Sequence, residues 1–193
     1  MSVSFKLTLA SIVLALLTTG FFGLDILLRG KKTRDVSTRL DAKIPLRPRW
    51  IWAYLLYYPM CAAPLFFPGV LSDDRLFLRV LAGLLVQFFV AWPIFYFFPT
   101  RMVQPAVPGD SPSARALRGL YKVDAGYNVF PSLHVANSVY VACVCVQLVP
   151  APWSAAFVVA AILIVASTVL VKQHYFLDIP AGLGLGLGAY LVF

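Results

Sequence analysis

The chain contains no glutamate; its eight acidic residues are all aspartate. Charged residues of either sign make up only 12% of its 193 residues, against about 25% in an ordinary soluble domain. So little charge cannot coat a soluble globule, and 61% hydrophobic residues exceed the roughly 45–50% such a domain carries. The excess apolar surface needs lipid to cover it. Cysteine is scarce as well. Cys61, Cys143 and Cys145 all lie within apolar runs, with no metal-ligand spacing and no disulfide framework. They read as small packing residues, and no metal or cofactor is expected. Histidine is scarcer still, with only His134 and His174. A net charge of +8 would suit nucleic acid, but most charges fall between apolar runs. That distribution encodes membrane topology, and no nucleic-acid partner is expected.

What is present is a succession of long apolar runs within a single expected domain, residues 1–193. Leu7 to Leu28 is long enough to cross a core of about 30 Å at about 1.5 Å per residue. It is too long for a usual signal-peptide core and no A-x-A site follows, so a retained helix is expected. A second span runs from about Trp50 to Leu71, with Pro59, Pro64 and Pro68 predicting kinks rather than a break. A third runs from about Leu76 to Phe98. The loop from Pro99 to Phe130 is predicted to carry a short interfacial helix over Arg115–Lys122. The fourth span begins near Pro131 and ends at Val149, and the fifth runs from Trp153 to about Val171. The sixth, from Asp178 to Phe193, reaches only roughly 24 Å. Gly182, Gly184, Gly186 and Gly188 form two G-x-x-x-G pairs on it, read as close helix packing.

Six spans alternate the loops between two faces. Thirteen of the sixteen lysines and arginines fall on one face: eight between Arg29 and Arg49, then Arg101, Arg115, Arg118, Lys122 and Lys172. The positive-inside rule makes that face cytoplasmic, and a bacterial inner membrane is the expected location. Both histidines lie on the same face, each in a polar cluster beside an apolar run. Ionisable groups so placed are functional candidates.

Two clusters carry possible chemistry. In Pro131-Ser132-Leu133-His134, proline suits the first turn of a helix, and the following N–H groups are free to bind phosphate. Ser132 adds a hydroxyl. In His174-Tyr175-Phe176-Leu177-Asp178, the histidine and aspartate are four apart and meet if the segment is helical. A carboxylate on one imidazole nitrogen leaves the other free to attack, and Lys172 offers a cation for developing phosphate charge. Taken singly, each cluster has a bland reading: a satisfied polar histidine, a chance Ser-x-His, an aspartate capping a helix.

Together these residues resemble the type-2 phosphatidic acid phosphatase superfamily of membrane enzymes. In that family Pro-Ser-x-His opens the fourth helix and His-x-x-x-Asp lies between the fifth and sixth. The variants Phe-Pro-Ser-Leu-His and Gln-His-Tyr-Phe-Leu-Asp look most like the inositol phosphorylceramide synthase branch. The resemblance implies an all-α integral membrane fold, a six-transmembrane-helix bundle. It implies a metal-independent lipid phosphatase or head-group phosphotransferase acting on a membrane lipid phosphate in the bilayer. His174 would be the nucleophile, Asp178 would orient it, and His134 would handle leaving and acceptor oxygens. Ser132 and the amides around Leu133 would hold phosphoryl oxygens.

This chain departs from the pattern at its cations. Ser167 and Thr168 stand where the family has Ser-Arg, and Lys172 is the candidate replacement charge. Phe97 takes the place of a lysine and Gln104-Pro105 that of Arg-Pro, with Arg101 the nearest cation. The phosphate-binding set is therefore Ser132, Leu133, Lys172, Arg101, Gln104 and Ser167, and a diphosphate substrate is harder to support. The competing class is a transporter, channel or packing subunit on the same scaffold.

Overall fold

A computed structural model describes residues 1–192. Among them there are nine α-helices and no strand, only two isolated bridges pairing Arg34 with Thr100 and Arg101 with Tyr127. Three helices are long and apolar enough to cross a bilayer: α1 (Val3–Leu28), α5 (Asp74–Phe97) and α8 (Trp153–Leu170). Between α1 and α5 come α2 (Ile51–Leu55), α3 (Tyr57–Ala62) and α4 (Pro68–Ser72). The amphipathic α6 (Pro112–Val123) follows α5, where the sequence predicts a short interfacial helix. The apolar α7 (Leu133–Leu148) has 16 residues and α9 (Asp178–Leu191) has 14. At about 1.5 Å per residue, neither matches the full thickness of a hydrocarbon core.

Both ends of α1 are clipped by buried charges. Lys6 donates to the Leu71 carbonyl at 2.6 Å and pairs with Asp74 at 2.6 Å, tying the helix start to the α4–α5 turn. At the other end Asp25 pairs with Arg29 at 2.9 Å and accepts from the Tyr127 amide at 3.2 Å. That second clip fastens α1 to the loop leading into α7.

The second apolar run is not the continuous kinked helix expected from the sequence. It is a series of short pieces: a 3₁₀ turn over Pro48–Trp50, α2, α3, a second 3₁₀ turn over Ala63–Phe66, and α4. Each proline lacks the N–H that would bond four residues back. Pro59 and Pro64 therefore leave gaps in the ladder, and Pro68 starts a new helix rather than extending the old one.

The core is built on α7, which packs against α8 on one side and α9 on the other. Glycines make the second contact possible. A Cβ on Gly182 would lie 2.7 Å from the Ser132 carbonyl, and one on Gly186 would collide with the Ala136 carbonyl. Gly184 and Gly188 have open space. Close helix packing is thus the role of the first pair alone, because only residues four apart share the α7 face.

The polar loop after α1 is laced to the face that carries the histidines. The Arg34 amide donates to the Pro99 carbonyl at 2.8 Å, and the Arg47 amide to the Leu170 carbonyl at 2.8 Å. Between them Asp41 reaches the segment after α8, described below. The buried face of α6, including Leu117, packs with Ile51, Tyr54 and Val171. These contacts gather five separate stretches of chain around the start of α7.

Candidate active site

α7 starts two residues later than the sequence suggests. Ser132 is its N-cap, with the hydroxyl accepting from the Val135 amide at 3.3 Å. This cap suits serine and leaves Pro131 just outside the helix. Ser132 is fully buried, so its hydroxyl serves the helix first. The next amides, Leu133 and His134, belong to the first turn and have no intrahelical partner.

His174 and Asp178 meet, though not on a helix. Residues 171–177 form a turn between α8 and α9, with Lys172 at φ 53°. Within it the His174 and Gln173 amides both donate to the Thr168 carbonyl, at 3.1 and 3.0 Å. Asp178 opens α9, and its Oδ2 accepts from the Tyr175 amide at 2.8 Å. The same oxygen lies 3.2 Å from His174 Nδ1, and the Val129 carbonyl lies 2.9 Å from that nitrogen. Two acceptors around Nδ1 place the proton there, so His174 Nε2 carries a lone pair.

That lone pair meets the second histidine. His174 Nε2 is 3.4 Å from His134 Nδ1. The proton between them must belong to His134 Nδ1, because His174 Nε2 has none to give. His134 Nε2 is then an acceptor, and it is buried without a partner. The His134 ring is held between two tyrosines. Tyr54 stacks on it at 4.4 Å between centroids and 29° between planes, and Tyr57 lies 4.2 Å away, tilted by 44°.

The other predicted residues are placed as follows. Lys172 donates to the Asp41 carbonyl at 2.9 Å; burial pulls its pKa down, and the Asp41 carboxylate partly opposes this. The Arg101 guanidinium lies over the Tyr127 ring, 4.9 Å from its centroid, and the Arg101 carbonyl accepts from Tyr175 Oη at 3.2 Å. Gln104 Nε2 donates to the Asp124 carbonyl at 2.8 Å and lies 3.4 Å from Gln173 Oε1. The Ser167 hydroxyl is buried and donates to the Ile164 carbonyl of its own helix at 2.6 Å. His134, His174, Asp178 and the start of α7 are therefore brought together. Gln104 borders them through Gln173, while Lys172, Arg101 and Ser167 are engaged elsewhere.

A model of the PAP2 superfamily matches residues 35–192, a stretch containing both histidine motifs. The chain belongs to the PAP2 superfamily. No curated protein and no solved structure matches it. PAP2 membership points to a phosphatase or phosphotransferase kind of function, and the three long apolar helices make this PAP2 chain a membrane protein.

Sequence reasoning missed several neighbours of the histidines. Asn137 is one turn beyond His134, and Tyr54 and Tyr57 are polar-tipped rings three apart in an apolar run, so spacing could have flagged all three. The Val129 carbonyl carried no signal, because a backbone group has no residue type. Asp124 also went unnoticed. It sits in the loop before α7, where burial pushes its carboxyl up to about 6 and the Gly126 amide partly offsets this.

Proposed function

We propose that this PAP2 protein is a lipid phosphate phosphatase or head-group phosphotransferase working through a phosphohistidine at His174. The observation that carries the reading is the anchored imidazole: Nδ1 held by Asp178 and Val129, with Nε2 bare and 3.4 Å from His134. A phosphoryl group entering between the rings meets a nucleophile on one side and a proton donor on the other.

In the first step His174 Nε2 attacks phosphorus. The N–P bond forms, the bond to the leaving oxygen breaks, and that oxygen takes the proton from His134 Nδ1. In the second step an acceptor hydroxyl attacks phosphorus and gives its proton to His134, and the N–P bond breaks. The first-turn amides of Leu133 and His134, with Ser132, hold phosphoryl oxygens at the positive end of α7. Lys172, Arg101, Gln104 and Ser167 remain the proposed supporting set, with Lys172 and Arg101 having to leave their resting contacts. A site with few committed cations suits a singly charged phosphodiester better than a diphosphate. That preference and the motif variants favour the inositol phosphorylceramide synthase-like branch.

The reading takes the chain as one domain with six crossings and its basic face cytoplasmic. The test is the His174→Ala variant, assayed for phosphate release from purified lipid phosphates with and without a lipid alcohol acceptor. Loss of turnover in a folded protein, with loss of an acid-labile phosphoryl adduct, is expected. Phosphate release at the unsubstituted rate would sink the assignment.

A further inference from the structure

An open groove of about 480 Å³ runs between the last turns of α1 and of α5. Gly20, Gly23 and Leu27 line it from α1, and Phe89, Trp92 and Tyr96 line it from α5. Two glycines shape it. A Cβ on Gly20 would lie 2.5 Å from the Trp92 ring, so the helices touch there, while a Cβ on Gly23 would meet nothing within 4 Å. Leu27, Phe89 and Tyr96 are exposed, so in a bilayer the groove faces lipid. Its volume falls within the ~300–1,000 Å³ of ligand sites. None of its lining residues belongs to the candidate active site.

α1 and α5 run in the same direction, since Lys6 and Asp74 join their starts, and both end at the basic loops. Two cations of the loop after α1 stand at that end. Lys31 Nζ lies 4.1 Å from the centroid of the Tyr96 ring, and the Arg34 guanidinium lies 4.5 Å from that of Phe98. The Arg34 amide, bonded to the Pro99 carbonyl at 2.8 Å, holds the loop over the end of α5. Neither cation has an ion-pair partner among the described residues. Asp35, the acid beside them in sequence, accepts from the Ser37 amide at 2.8 Å. Tyr96 joins the two features, because its ring both lines the groove and carries Lys31. An apolar trough open to lipid thus ends under two unpaired positive charges.

We infer that this groove binds an anionic phospholipid, with one acyl chain lying along Gly23 between α1 and α5 and the headgroup phosphate on Lys31 and Arg34. Charge complementarity selects the occupant. A lipid whose only charge is its phosphate gains the attraction of both cations. A zwitterionic lipid brings a cation of its own to the same place and loses part of that gain. A helix of a second copy would cover the apolar walls and leave Lys31 and Arg34 unanswered. The inference concerns binding alone and holds whether or not His174 forms a phosphohistidine.

The test uses the full chain in phosphatidylcholine nanodiscs doped, at equal mole fraction, with phosphatidylglycerol or phosphatidylcholine carrying a diazirine in one acyl chain. Peptides from the ends of α1 and α5 should be labelled about tenfold more by the phosphatidylglycerol probe at low salt, the size expected of two surface cations, and the preference should shrink in about 1 M salt. The Lys31→Gln/Arg34→Gln double variant should erase the preference and leave labelling by the phosphatidylcholine probe as it was. Gly23→Leu, which fills the groove without a clash, should lower labelling of both peptides by either probe while labelling of α8 persists. Equal labelling by the two probes, a preference that survives the double variant, or cross-links from α1 or α5 to a second copy in place of lipid adducts would overturn the inference.

Discussion

The Phe176 amide donates to Asp41 Oδ1 at 2.7 Å, linking the polar loop after α1 to the turn that carries His174. The other carboxylate oxygen of Asp41 accepts from the Thr38 amide at 2.6 Å and its hydroxyl at 2.8 Å. Asp41 is therefore a strut between two loops 135 residues apart. Asp41→Ala removes the strut and loosens the turn that carries His174, while the backbone carbonyl that holds Lys172 stays. The expected result is a stability loss of about 1.5–3 kcal/mol, the range for hydrogen bonds to a charged group, and a several-fold fall in kcat. Thermal unfolding in detergent and initial-rate assays on one preparation check both.

The α7–α9 contact makes a sharper stability prediction. Gly186→Ala drives a methyl group into the Ala136 carbonyl, and both belong to helices that cannot shift alone. A loss of about 1–3 kcal/mol is expected. Gly184→Ala meets nothing within 4 Å, so helix propensity should make it neutral or stabilising by up to about 1 kcal/mol. The unfolding temperature should fall for Gly186→Ala and hold or rise for Gly184→Ala.

Asp124 predicts a pH dependence. Burial raises its folded pKa to about 6, above the roughly 3.9 of an unfolded aspartate. Below about pH 4 both states hold the proton and the group costs nothing. As pH rises through 4 to 6 the unfolded chain releases its proton first, so stability is lost and stays lost above about 6. The two-unit gap corresponds to about 2–3 kcal/mol. Asp124→Asn keeps an oxygen for the Gly126 amide and should flatten this part of the profile, with a higher unfolding temperature at pH 8. An unchanged profile would show that Asp124 does not titrate as stated.

The stacked tyrosine is a test of positioning. Tyr54→Phe keeps a ring against His134 and should hold kcat within about twofold. Tyr54→Leu removes the 4.4 Å stack and should cost about tenfold, or about 1.4 kcal/mol in the barrier. KM should change little, because Tyr54 is proposed to position the His134 ring and not to hold the phosphate.

Sidedness is open to direct labelling. Ala106→Cys, in the loop before α6, should react with an impermeant maleimide added from the cytoplasmic side. Ala151→Cys, in the turn between α7 and α8, should react only from the other side. The reverse pattern would invert the proposed topology.

Much of the candidate site was legible because its residues lie close together in sequence. His174 and Asp178 are four apart, and Ser132 caps the helix that carries His134, so spacing alone brought them to notice. His174 and Asp178, four apart, do meet, but in a turn closed onto the Thr168 carbonyl rather than on a helix. The helices long in sequence were also found nearly to their ends. The broken path of residues 48–72 was not, because several prolines in one apolar run act together where each alone would only kink a helix. Asp41 was unreadable for a different reason. One aspartate in a basic loop resembles any solvated charge until folding sets it against a peptide that lies far along the chain. The expected roles of Lys172 and Arg101 likewise rested on charge alone, and charge does not say that a backbone carbonyl or an aromatic ring occupies it at rest.

The series of short turns between Pro48 and Ser72 has a consequence for how such a protein diversifies. The proposed reacting groups are His134 on α7 and His174 in the turn before α9, and Gly182 and Gly186 hold those two helices close together. The α3 side of the apolar cavity beside His134, with Tyr58, Cys61 and Ala62, stands on segments with interrupted hydrogen bonding, where substitutions need disturb no long ladder. Selection can change those three positions without touching the His134–His174 pair.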